Sequence, residues 1–118
     1  MEGMMDRMLV HTREGKRIPL DLQDIYWIEA RGKDSRIRLR GSEALYDKRP
    51  LGDLTKLLSG RGFLRIHRNH IVNLRRILEI RHRGGGRDWE VKLEPPVNRV
   101  LPVSRGSLRA LWEDFGEA

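Results

Sequence analysis

Three stretches of two-residue alternation constrain this chain most. Apolar and basic side chains alternate from Leu64 to His67, and Arg36-Ile37-Arg38-Leu39-Arg40 repeats the pattern with three arginines. Trp89, Val91 and Leu93 alternate with Glu90, Lys92 and Glu94. Successive side chains of a strand point to opposite faces, so each stretch buries one face and leaves the other wet. Ile37 and Leu39 are expected to face a core, with the arginines outward.

Other segments fit the same plan. Strands are expected near 7–12, 16–20 and 25–30, and a short one at 44–47. Between the second and third, residues 20–24 read as a turn or one helical turn capped by Asp21. Further strands are expected at 77–83 and 99–103. Residues 31–35 form a turn by composition, and Gly84-Gly85-Gly86 joins the 77–83 strand to the one after it. In the 77–83 strand Leu78, Ile80 and His82 share one face. Pro95-Pro96 bars continuation in a central ladder.

Two helices interrupt the strands. Pro50 suits a first helical position, and Leu51, Leu54, Leu57 and Leu58 form one apolar stripe before Gly60 and Gly62. This places a helix over about 50–59. Ser104 stands where an N-cap belongs, ahead of Leu108, Leu111, Trp112 and Phe115 in a closing helix over about 105–115. The fold class is mainly β, with one inserted and one C-terminal helix. At 118 residues the chain has room for one domain, 1–118, with 1–6 as a flexible tail.

Composition excludes several kinds of chemistry. The chain has no cysteine, so disulfide frameworks, thiolate nucleophiles and cysteine-bound zinc are ruled out. His11, His67, His70 and His82 show no metal-binding spacing, and Ser104 and Ser107 lack a nucleophile-elbow context. The glycine run lies between strands, without the helix that would aim N–H groups at a phosphate. No enzymatic activity, cofactor or metal is expected. No run approaches membrane-span length, and the start of the chain carries acids where a signal peptide carries lysines. A cytoplasmic location without membrane insertion is the expectation.

Charge points to a polyanionic partner. Of 24 basic and 17 acidic residues, eight arginines and one acid, Glu79, fall within 61–87. The remaining 16 and 16 cancel, so this window carries the whole net charge of +7. A focused basic patch suits an anionic polymer. Arginine can grip phosphate or bond guanine at two acceptors, and asparagine can pair with adenine. Two Phe and two Tyr are few for a base-stacking platform, which argues against single-stranded RNA.

Three ordered segments carry a family resemblance. They are Asp24-Ile25-Tyr26-Trp27-Ile28-Glu29-Ala30, Phe63-Leu64-Arg65-Ile66-His67-Arg68-Asn69-His70-Ile71-Val72-Asn73, and Leu101-Pro102-Val103-Ser104-Arg105. Over about 16–115 the chain resembles the LytTR-type DNA-binding domain of bacterial transcription regulators, the output domain of response regulators. The resemblance implies an elongated fold of small antiparallel sheets. It also implies loops that read successive major grooves of duplex DNA at direct repeats, with the minor groove bridged between them.

Carried over residue by residue, the resemblance puts base-reading positions near Ser35 and Arg36, at Arg68, and near Gly106. Lys33, His67, Asn69, Arg105 and Ser107 flank these positions, and Arg75 and Arg76 are expected on the DNA backbone. His67 either shapes its loop or touches DNA, and Asn73 caps the local backbone. Two residues depart from the family pattern. Asn69 replaces a frequent serine. Gly106 replaces a basic residue, whose contact is either lost or shifted to Arg105, Ser107 or Arg109. The implied partners are double-stranded DNA, a second copy on tandem repeats, RNA polymerase, and a receiver or sensory domain. The residues before 16 have no room for such a domain, so the chain reads as a stand-alone regulator or an excised fragment. The competing reading is a protein-interaction module that docks an acidic partner on the basic face.

Overall fold

Ile25-Tyr26-Trp27-Ile28 is apolar without alternation because its strand is covered on both faces. The structure, a computed structural model, describes residues 6–117. Of the tail expected at 1–6, all but Asp6 lies outside the described residues. Strands β1 (Arg7–His11) and β2 (Arg17–Asp21) pair as a ribbon. Five strands form the middle layer: β3 (Ile25–Arg31), β4 (Asp34–Leu39), β5 (Ala44–Asp47), β6 (Phe63–His67) and β7 (His70–Asn73). Their order is β5-β4-β3-β7-β6, and every pairing is antiparallel. Strands β8 (Ile77–His82), β9 (Trp89–Leu93) and β10 (Val100–Val103) form the third sheet, ordered β10-β9-β8. Helix α1 (Leu51–Leu58) lies between β5 and β6, and α2 (Leu108–Asp114) ends the fold.

Each face of the middle sheet has its own core. Ile25, Ile28, Ile37 and Ile71 pack with Val10 and Leu20 of the ribbon and with Leu54 and Leu58 of α1. On the other face, Tyr26, Trp27, Ile66 and Val72 pack with Val91, Leu93, Leu101 and Leu111. Burying each large aliphatic side chain is worth about 1.5–3 kcal/mol, so both outer layers are held on by apolar contact. The molecule measures 45 × 36 × 26 Å, elongated as the resemblance implies.

One device links the sheets twice. The Asp21 carboxylate accepts a bond from Gln23 N at 2.9 Å and starts a 3-10 turn over Leu22–Asp24. The Asn73 side-chain oxygen accepts one from Arg75 N at 3.1 Å and starts another over Leu74–Arg76. The buried Asn73 amide donates to the carbonyls of Ile25 (2.9 Å) and Leu22 (3.3 Å), tying the two turns together.

Several expectations need correction. Leu78 does not face a core: a bulge between Ile77 and Glu79 leaves it 52% exposed, and Ile77 and Ile80 pack inward instead. Leu57 is partly exposed, and the buried α1 stripe is Leu51, Leu54 and Leu58. Pro50 precedes α1 as its extended cap residue. Ser104 does not cap α2. It precedes a 3-10 turn over Arg105–Ser107, and α2 starts at Leu108. The turn read at 31–35 narrows to Gly32-Lys33, because Gly32 at φ +61° lets two residues reverse the chain. Strand β4 therefore starts at Asp34.

Candidate nucleic-acid interface

The β3–β4 and β6–β7 hairpins end side by side. Ala30 N donates to the Asn69 carbonyl at 3.0 Å, so the Gly32-Lys33 and Arg68-Asn69 tips are neighbours. The turn after β10 joins them. Ser104 N donates to the Ile66 carbonyl at 2.7 Å, and the Ser107 hydroxyl donates to the Arg65 carbonyl at 3.2 Å. Three loops that are distant in sequence thus meet at one end of the middle sheet. They bring together Lys33, Arg68, Asn69 and Arg105.

These four side chains are exposed, and only Arg105 has an ion-pair partner among the described residues, Asp88 at 3.6 Å. With 75% of its side chain exposed, Arg105 keeps that pairing loose, since exposed pairs are worth about 0–1 kcal/mol. Gly106 has open space around it. The Ser107 hydroxyl is taken up by Ser104 and Arg65, and Arg109, exposed and as loosely paired with Glu113 at 3.5 Å, lies beyond the turn on α2. Arg105 is therefore the cation this turn presents.

The Arg68-Asn69 tip is built by its own neighbours. Arg65 Nη2 donates to the Arg68 carbonyl at 2.6 Å, and Asn69 N donates to His67 Nδ1 at 3.1 Å. His67 Nδ1 thus helps to shape the loop. The His70 ring lies 5.3 Å from it, centroid to centroid. Burial lowers the His70 pKa below its ordinary value, helped by His67 and Arg99 and opposed by Glu29.

Other expected site residues have different surroundings. Ser35 is fully buried, and its hydroxyl donates to the Arg49 carbonyl at 2.9 Å, because a β4 starting at Asp34 turns it inward. In this structure it has no edge to offer a base. Arg36 lies above Tyr46 and 3.5 Å from Glu29. Arg75 and Arg76 sit at the far end of β7, in the 3-10 turn opposite the tips. Arg76 donates to the Gln23 carbonyl through Nη2 (2.7 Å) and Nε (3.2 Å), pairs with Glu94 at 3.4 Å, and stacks over Tyr26. Arg75 Nη1 donates to the Arg61 carbonyl at 3.4 Å. Arg76 is thus engaged within the fold, while Arg75 stays exposed with one long bond.

The basic window of 61–87 is therefore divided in space. Arg81 is paired to Glu79 at 2.8 Å and to Glu90 at 2.7 Å, which offsets charge that the linear count left free. Sequence reasoning missed a charged group beside the tips. Cross-strand register sets Glu29 opposite Arg36 and His70, and Arg38 Nη1 donates to Glu29 at 3.0 Å. The β3–β4 register, counted back from a two-residue turn, contains that signal.

The hairpin carrying Lys33 is braced from the ribbon. Asp34 accepts a two-pronged bond from Arg13. Buried Asp47, paired across from Ser35, accepts from His11 N (3.0 Å) and from Arg49 N (2.9 Å), Nε (2.9 Å) and Nη2 (2.7 Å). Burial alone would raise the Asp47 pKa, but these donors outweigh it and hold the group below the usual carboxylate value.

Comparison with known proteins agrees with this architecture. A family model described as the LytTr DNA-binding domain matches residues 15–116. The chain is 28% identical over 109 residues to the sensory transduction protein LytT of Oceanobacillus iheyensis, covering 92% of this chain and 44% of that one. It is 33% identical over 112 residues to the heme-containing CO-sensing transcriptional regulator RcoM 1 of Paraburkholderia xenovorans, covering 88% and 38%. The chain thus spans less than half the length of either relative. A solved LytTr DNA-binding domain from Bacillus cereus superposes with a TM-score of 0.74 at 21% identity, over 95% of this chain and 98% of that one. Among the described residues, no helix is long and apolar enough to cross a membrane.

Proposed function

The chain belongs to the LytTr DNA-binding domain family, and on that premise we propose that it binds duplex DNA sequence-specifically, as the output domain of a bacterial transcription regulator. The observation that carries this reading is the meeting of the 32–33, 68–69 and 104–107 loops at one end of a rigid sheet. Loops can enter grooves that a flat sheet cannot, and a braced scaffold holds them in register.

In this reading Arg68 and Asn69 read base edges, where their forked or paired donors match guanine or adenine. Lys33 and Arg105 lie to either side, on base edges or phosphates of the adjoining major grooves, with the minor groove bridged between. Two copies bind in tandem at direct repeats. Input reaches this segment from a receiver or sensory domain, and output passes to RNA polymerase. No step in this role requires catalysis or a cofactor.

The test is selection of binding sites from random duplex DNA at near-physiological salt. Enrichment of a repeated motif is expected. A folded protein that enriches no motif would overturn the reading and favour an acidic protein partner for the basic face.

A further inference from the structure

A second basic site lies away from the tips, at the other end of β4. A cleft of about 390 Å³ opens between the β4–β5 turn at 40–42 and the β9–β10 connection at 96–99, with Trp27, Arg38 and Leu39 as its inner wall. Two guanidinium groups stack on the Trp27 ring, Arg38 at 4.7 Å and Arg99 at 5.6 Å from the centroid. Stacking holds a guanidinium plane in place and leaves its N–H edges free to fork an oxyanion.

Those edges are under-used. Glu29 takes Arg38 Nη1 and also faces Arg36, so one carboxylate serves two cations. Arg38 Nε is buried without an acceptor, as is the indole N–H of Trp27, a residue only 3% exposed. Among the described residues, neither Arg40 nor Arg99 has a carboxylate partner. Buried donors left unpaired in a native fold point to a ligand, an ion or water that would complete them.

We infer that this cleft binds a phosphate-class oxyanion, gripped by Arg38 and Arg99 with Arg40 at its mouth. The three arginines lining this cleft exceed what Glu29 neutralises, and guanidinium donors suit a tetrahedral anion with several acceptors. The phosphate comes either from a free phosphorylated compound or from the backbone of bound duplex.

The test follows the Trp27 indole N–H resonance in nitrogen-15-labelled protein, assigned with Trp27→Phe, while pyrophosphate is titrated at constant ionic strength. A saturable shift, weakened at least tenfold in Arg99→Ala and unchanged in Arg68→Ala, identifies a site for free phosphate. If pyrophosphate gives no shift but duplex DNA does, the DNA backbone is the source. Arg99→Ala then lowers the log–log salt slope of DNA affinity by about one. The absence of both shifts, or a shift that Arg99→Ala leaves intact, overturns the inference. Because the pyrophosphate titration contains no DNA, it can succeed even if sequence-specific DNA binding fails.

Discussion

Arg68 and Arg76 lie eight positions apart in the same basic window, yet their surroundings are opposite. Arg68 sits on a two-residue hairpin tip, and among the described residues its side chain has no partner. Arg76 is bonded to Gln23, paired with Glu94 and stacked on Tyr26. The difference comes from β7, which runs from the tip to the 3-10 turn and so joins opposite ends of the sheet. Position on the scaffold decides what each of these arginines can touch.

This contrast can be sharpened by substitution. The largest effect is expected at the joint that fixes the far end. Asn73→Ala removes three bonds from a fully buried residue and should cost about 3 kcal/mol of stability, read by chemical denaturation. Arg68→Ala should leave the melting temperature unchanged and cost about 1–3 kcal/mol of affinity on the selected DNA site. Arg76→Ala should do the reverse, lowering stability by about 1 kcal/mol with no change in affinity below the melting transition. If Arg76→Ala weakened DNA binding in a folded protein, the division between the two ends would fail.

The pH dependence comes last. Burial lowers the pKa of His70, and it is also the leading cause of the lowered pKa of His11. The unfolded chain then binds more protons just below the ordinary histidine value near 6.5. Stability from these groups is complete above that value and is lost as pH falls from it toward the lower folded pKa. Denaturation midpoints measured from pH 7.5 down to 5 should fall on this flank, and His70→Gln should flatten it.

Much of the fold was legible because its signals are local. The alternation at 36–40 and 89–94, the triglycine turn and Asp21 as a cap depend on neighbouring residues. The bulge at Leu78 was not legible, because a period-two reading assumes an unbroken ladder. The candidate site was legible in part. Arg68 and Arg105 were placed by the family resemblance, and Arg105 was read at the start of the last helix where the structure has a 3-10 turn. Ser35 was misplaced because the turn was read to residue 35, two residues past its end at Lys33; carried back along β4, the 36–40 alternation sets Ser35 on the inward face with Ile37. The partners of Arg76 were not legible, because charge counts along the chain ignore groups such as Glu94, supplied from elsewhere in the chain.

The central claim is that the hairpin tips read sequence while the far-end arginines hold the fold. It is tested most directly by salt-dependent affinities of wild type, Arg68→Ala and Arg76→Ala on the selected site and on a scrambled duplex. The prediction is that Arg68→Ala narrows the ratio between the two duplexes by about 5- to 150-fold, while Arg76→Ala changes neither that ratio nor the salt slope. Equal losses on both duplexes for Arg68→Ala, or a slope reduced by about one for Arg76→Ala, would contradict it.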